Sequence, residues 1–172
     1  MSATPGSSPP PTPPSQPPRD DYDACGGWDG TERPLALRPD GPAYAGPGPH
    51  PIMSFADSVH GELPAEWDPL AAGPVQLVLC EDPDESFKSV KIGTCAYDDG
   101  ATIADVESAR YIYRVYEART AELVDTFTLQ GSTSVRESCP YSALNPSLFY
   151  QLVQSKDLAD KLRPLVEGAR PR

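Results

Sequence analysis

The stretch from Arg110 to Gly131 constrains the fold more tightly than any other part of the chain. Tyr111, Tyr113 and Val115 alternate with Ile112, Arg114 and Tyr116; after a short break, Leu123, Asp125, Phe127 and Leu129 alternate with Val124, Thr126 and Thr128. Successive side chains of a strand point to opposite faces, so the pattern predicts two half-buried strands joined as a hairpin. The intervening Ala118-Arg119-Thr120-Ala121-Glu122 suits a three-residue turn with a bulge. That turn sets Ala118 opposite Glu122, Tyr113 opposite Phe127 and Tyr111 opposite Leu129. These aromatic and aliphatic pairs share one face, assigned to the core. Tyr116/Val124, Arg114/Thr126 and Ile112/Thr128 share the other face, which is half polar and wetter. Ala121 stands where the bulge wants positive φ, at a cost of about 1 kcal/mol relative to Gly.

The remaining pattern sets this hairpin in an α+β domain: a small antiparallel β-sheet with one or two C-terminal helices, preceded by a disordered Pro-rich tail. Ile52–Phe55 reads as a first strand, Leu63–Trp67 as a packed loop, and Val75–Cys80 as a buried strand. Glu81-Asp82-Pro83-Asp84-Glu85-Ser86 predicts a turn, from which Phe87–Tyr97 continues as a strand with Val90, Ile92 and Thr94 alternating against Lys91 and Gly93. Asn145-Pro146 has the form of a cap and an N1 proline, opening a short helix through Leu148, Phe149, Leu152 and Val153. Asp157–Glu167 carries Leu158, Leu162, Leu165 and Val166 as an amphipathic stripe, interrupted by Pro164 and ended by Gly168.

Residues 1–19, MSATPGSSPPPTPPSQPPR, hold no apolar side chain longer than Ala apart from Met1. Burial there cannot offset the entropy of ordering. Pro11-Thr12-Pro13-Pro14 fits a PxxP register for a proline-reading domain, while the plainer reading is a semi-stiff linker. Residues 20–51 are rich in Asp, Gly and Pro, although Tyr22, Cys25 and Trp28 are residues able to pin such a segment to a folded body. The boundary is placed near Gly41, giving a tail over 1–40 and a single domain over 41–172. A signal-peptide pattern is missing from the given start, yet Pro/Ser spacers also often succeed a membrane segment, which leaves room for an anchor upstream. No apolar run approaches the ~18 residues that span a bilayer. The net charge of −11 sets nucleic acid aside as a partner, because a phosphate backbone needs a basic stripe.

Residues capable of chemistry are few. Cys25, Cys80, Cys95 and Cys139 form no CxxC pair and have no His or carboxylate at zinc-ligand spacing, so no metal or cofactor is expected. An even count suits one or two disulfides in an oxidising compartment, against four reduced and buried thiols. Three full connectivities are open. A bond between Cys80 and Cys95 is expected, since both lie on the strands joined by the acidic turn. His50 and His60 are the only histidines, and no serine sits in a G-x-S-x-G context. His50, held between Pro49 and Pro51, is a candidate ligand contact; an exposed loop residue is the plainer alternative. Glu81, Asp82, Asp84 and Glu85 form one acidic cluster and Asp98, Asp99, Asp105 and Glu107 a second, both read as solvated turns because the calcium loop pattern is missing. Arg114 and Tyr116, on the wetter face of the hairpin, complete the ligand-binding candidates: one fixed charge and one amphipathic ring.

GPGPHPI, an apolar strand ending in Cys80, GTCAY, RYIYRVYEARTAELVDTF, a late Cys139-Pro140 and a terminal helix together resemble an uncharacterised actinobacterial extracytoplasmic domain family, often tethered by a membrane segment or lipid anchor. The resemblance covers roughly residues 42–168. It implies a cell-surface or secreted location and disulfides, and it transfers no activity or binding residue. Two departures are the missing anchor and Ala121 where the hairpin usually has Gly. The resulting expectation is a non-enzymatic surface or secreted domain that binds an unknown protein or cell-envelope component. The alternative is a cytosolic adaptor acting through its Pro-rich tail.

Overall fold

The computed structural model describes residues 24–26, 34–96, 103–141 and 148–170. The proline-rich residues 1–19, Tyr22, Trp28, Asp98, Asp99 and the Asn145-Pro146 cap lie outside the described residues. In chain order the strands are β1 (Ile52–Phe55), β2 (Val59–His60), β3 (Leu77–Pro83), β4 (Lys91–Ala96), β5 (Ile103–Glu107), β6 (Arg110–Glu117), β7 (Leu123–Gln130), β8 (Leu148–Tyr150) and β9 (Val153–Gln154). Two single-turn helices, α1 (Pro69–Ala72) and α2 (Val135–Ser138), precede the long α3 (Ser155–Val166). The fold is α+β. Its sheets are mixed: β1-β3-β6-β7, β4-β5-β8 and β2-β9, with β1/β3, β5/β8 and β2/β9 parallel.

The hairpin keeps the predicted register from Tyr111↔Leu129 to Val115↔Asp125, including Tyr113↔Phe127. A bulge between Val115 and Tyr116 then shifts it by one, so Tyr116 meets Leu123 instead of Val124. Glu117 and Glu122 close the turn through a backbone bond, and Ala121 takes φ 57°. Tyr111 and Tyr113 are buried, and Tyr113 stacks on Phe127 with ring centroids 5.4 Å apart. Across this face lies α3, whose Leu158, Leu162 and Val166 are fully buried with Trp67, Leu77, Leu79 and Val115. Each such aliphatic side chain contributes about 1.5–3 kcal/mol by burial.

The last carbonyls of α3 have no partners within the helix and are satisfied by the proline-glycine loop. His50 N–H donates to Val166 O at 2.7 Å, the Tyr44 hydroxyl to Leu165 O at 2.8 Å, and Gly46 and Arg170 exchange backbone bonds. Gly48 is required by this close approach, since a Cβ there would stand 2.7 Å from the carbonyls of Val166 and Glu167.

Several expectations are corrected. β3 runs on through Glu81, Asp82 and Pro83 instead of turning, and the tight turn comes at Asp84–Phe87. The two flanks of β3 are taken by β1 and β6, so the chain leaves for a separate sheet and β4 is not its neighbour. Cys80 and Cys95 therefore do not bond to each other. The disulfides are Cys25–Cys80 and Cys95–Cys139, with Cα–Cα distances of 5.5 and 5.6 Å. On β4 the faces are the reverse of an apolar Val90/Ile92 stripe: those two are exposed, while Cys95 is buried and Gly93 packs under Val135. Leu148–Tyr150 and Val153–Gln154 are strands and not a helix, because the parallel edge of β5 and the short β2 recruit them. Residues ahead of Gly41 also pack on the sheet. Ala24 and Leu37 are buried on the second face of the large sheet beside Val75, Val78 and Ala118, and Cys25 is bonded there.

Candidate functional site

Alternation along β3 places Leu77, Leu79 and Glu81 on one face. The first two are core, and Glu81 continues the inward series, opposite Tyr113. The sheet is open at this end, and a cleft of about 710 Å³ lies where the three sheets converge. Its walls are Glu81 and Pro83 of β3, Tyr111 of β6, Ser58 and His60 around β2, Glu137 to Pro140 at the end of α2, and Phe149 and Tyr150 of β8. The size lies within the range of small-molecule sites. A second, larger groove of about 880 Å³ runs beside β1 and α1, past Leu63 and the almost fully exposed Leu70, with fewer convergent polar groups.

Glu81 is the chemical centre of the cleft. Its Oε1 accepts the Ser58 N–H at 2.9 Å, whereas Oε2 is buried and has no partner in hydrogen-bond geometry. The Tyr113 hydroxyl is likewise buried and unpaired. These two are the unsatisfied buried side-chain atoms among the described residues, and they belong to directly opposed positions on adjacent strands. Burial pushes the Glu81 carboxyl above its ordinary range, opposed by the nearby Tyr113 hydroxyl and by Ser58, and reinforced by Asp57. Burial also pushes Tyr113 far up, aided by the Glu81 charge, so the phenol stays protonated. Tyr111 is raised chiefly by burial and donates its hydroxyl to Gln151 O at 3.0 Å.

The rim is more rigid than a four-residue helix suggests. Ser134 and Glu137 form a capping box on α2, and the Ser134 groups hold the Glu137 carboxyl below its ordinary range, helped by the nearby His60. The Cys95–Cys139 bond ties the end of α2 to β4. Ser138 directs its hydroxyl to Thr133 and to Ser134 O, so it is committed to the turn.

None of the ligand candidates chosen from sequence lines this cleft. His50 is buried, with Nε2–H donating to Gly168 O at 3.1 Å and Nδ1 paired with the Gln76 side chain at 2.7 Å, beneath the Tyr44 ring. Here it serves packing and helix capping rather than an exposed loop. Arg114 and Tyr116 share the opposite face of the sheet. Arg114 pairs with Asp82, and Tyr116 packs against the cluster around Cys80 and Ala24. Of the two acidic clusters, Asp82 pairs with Arg114, Asp84 with Arg110 at 2.6 Å and Asp105 with Lys91 at 2.7 Å. Among the described residues no group of three His, Cys, Asp or Glu side chains is placed to hold a metal, and no helix is long and apolar enough to cross a membrane. The signal for Glu81 was available in its period-two spacing from Leu77 and Leu79, but its acidic neighbours suggested a turn.

No family model matches the chain, and no curated protein or solved structure is significantly similar to it.

Proposed function

We propose that this chain is an extracytoplasmic, disulfide-braced domain that binds a ligand without transforming it, and that the ligand occupies the cleft beside Glu81. The observation that carries the reading is a water-poor carboxylate set among Tyr111, Phe149 and Tyr150 in a cleft of ligand size. Five elements distant in sequence, β2, β3, β6, α2 and β8, and a disulfide fix the walls, which is the preorganisation that keeps binding from losing affinity to ordering. The two disulfides favour an oxidising location at the cell surface or outside it, because cytosolic thiols are kept reduced. The hydroxyls argue for binding over catalysis. Ser138 is committed to its turn, and the Ser58 hydroxyl lies beside Glu81 and Tyr111 with no histidine hydrogen-bonded to it among the described residues.

Amide NMR of the full chain against a mixed library of neutral and charged fragments tests this reading. Shifts that cluster at Ser58, Glu81, Tyr111 and Tyr150 are expected. Shifts confined to the Arg114/Tyr116 face, or turnover in a panel of esters, peptides and glycosides that is lost in Glu81→Gln, would overturn it.

A further inference from the structure

We propose that the cleft takes the cationic end of its ligand, a primary amine or a guanidinium, with Glu81 as counter-charge and the rings of Tyr111 and Tyr150 as walls. The inference rests on the cleft being the binding site and names what enters it.

Glu81 is a carboxylate short of partners. An ionised carboxylate accepts about four hydrogen bonds; here Oε1 has the Ser58 N–H, the Ser58 and Tyr113 hydroxyls lie nearby, and Oε2 has no partner in hydrogen-bond geometry. A desolvated charge persists when something compensates it, and among the described residues no cation does so. The groups acting on Glu81 are Ser58, Tyr113 and Asp57, the last of which carries the same sign. The basic residues of the neighbouring strand are already engaged, Arg110 with Asp84 and Arg114 with Asp82. In the free protein a proton answers that charge, as the raised carboxyl requires, and a ligand's cation can take the proton's place.

The rest of the cleft suits the same group. Tyr150 is about half exposed at the rim, and an aromatic face attracts a cation more strongly where water is thin. Pro83, Pro140 and Leu152 offer an apolar lining for an alkyl stem behind the charged head. Glu137 stands at the far wall as a second negative charge, and the chain as a whole carries −11, so the long-range field also favours a cation.

The test uses the full chain and two matched probes, Nα-acetyl-lysine N-methylamide and its neutral isostere Nα-acetyl-norleucine N-methylamide, titrated with amide NMR as the readout. The lysine probe is expected to shift Ser58, Glu81, Tyr111 and Tyr150 with an affinity at least about tenfold above the isostere, weakened by added salt. Glu81→Gln, which keeps the acceptor for Ser58, is expected to remove that preference, and Tyr150→Ala, a rim change, to weaken it several-fold. Equal binding of both probes in the cleft, or an unaltered preference in Glu81→Gln, would overturn the cationic assignment while leaving the cleft as the site. Binding of the lysine probe only outside the cleft would overturn it too. If the neutral fragments also avoid the cleft, the site itself falls.

Discussion

Replacing Cys25 and Cys80 by Ala together separates this fold from one whose first forty residues are a free tail. The bond spans 55 residues of sequence. In the chain-entropy treatment, closing a loop of that length removes about 14 cal/mol/K from the unfolded ensemble, or about 4 kcal/mol at room temperature. A domain of this size has a net stability of only about 5–15 kcal/mol, so the bond supplies a large share of it. With about 2.1 cal/mol/K of unfolding entropy per residue over roughly 130 ordered residues, the expected fall in Tm is about 15 °C. Loss of the anchor also frees Ala24 and Leu37 to leave their buried positions beside Val78, which adds to the fall. Differential scanning calorimetry of parent and variant under non-reducing conditions measures it. Cys95→Ala with Cys139→Ala opens a comparable 44-residue loop and serves as a matched control. A Tm change below about 3 °C, or non-reducing peptide maps joining Cys80 to Cys95, would refute the reasoning.

Three further outcomes are tied to particular residues. His50→Ala removes a fully buried ring with two hydrogen bonds and leaves the Gly168 carbonyl unpaired, so a loss of about 3 kcal/mol is expected by urea denaturation. Ala121→Gly relieves a positive φ of 57° and is expected to raise Tm by about 3–4 °C, given a strain of about 1 kcal/mol. Glu81 has its folded pKa raised above the ordinary 4.5, so the folded state holds the proton more tightly than the unfolded chain does. Its favourable contribution is present in full below pH 4.5 and is lost as pH rises through the folded value. Denaturation of Glu81→Gln against the parent should therefore show a relative gain for the variant that grows from acid towards neutral pH. A constant difference would contradict the burial argument.

The parts of the fold set by local alternation were legible in the sequence. The Tyr111–Leu129 and Tyr113–Phe127 pairs, the Leu158/Leu162/Val166 stripe and the strain at Ala121 all arise from spacing within one or two elements. The illegible parts depend on which distant element arrives. Val90 and Ile92 alternate correctly for a strand, but Val135 and Cys139 arrive on the Gly93/Cys95 side, so the apolar pair is left outside. Leu148 to Val153 has an apolar pattern shared by a short helix and a pair of strands, and the free edge of β5 decides between them. The cysteine pairing failed for the same reason, because β1 and β6 fill both sides of β3 and send the chain to another sheet. His50 was misread because a loop of prolines and glycines is ordinarily exposed, whereas this one closes the end of α3. The cleft was hidden most completely: its walls come from β2, β3, β6, α2 and β8, and only Glu81 signalled it, through two-residue spacing.

The most direct measurement of the central claim is a carboxyl-carbon NMR titration of Glu81 in the full chain, alone and with the lysine probe. The account predicts a free-state midpoint above 4.5 and a downward shift when the probe is bound, since an ion pair favours the carboxylate. A midpoint at or below 4.5, unmoved by the probe, would contradict it.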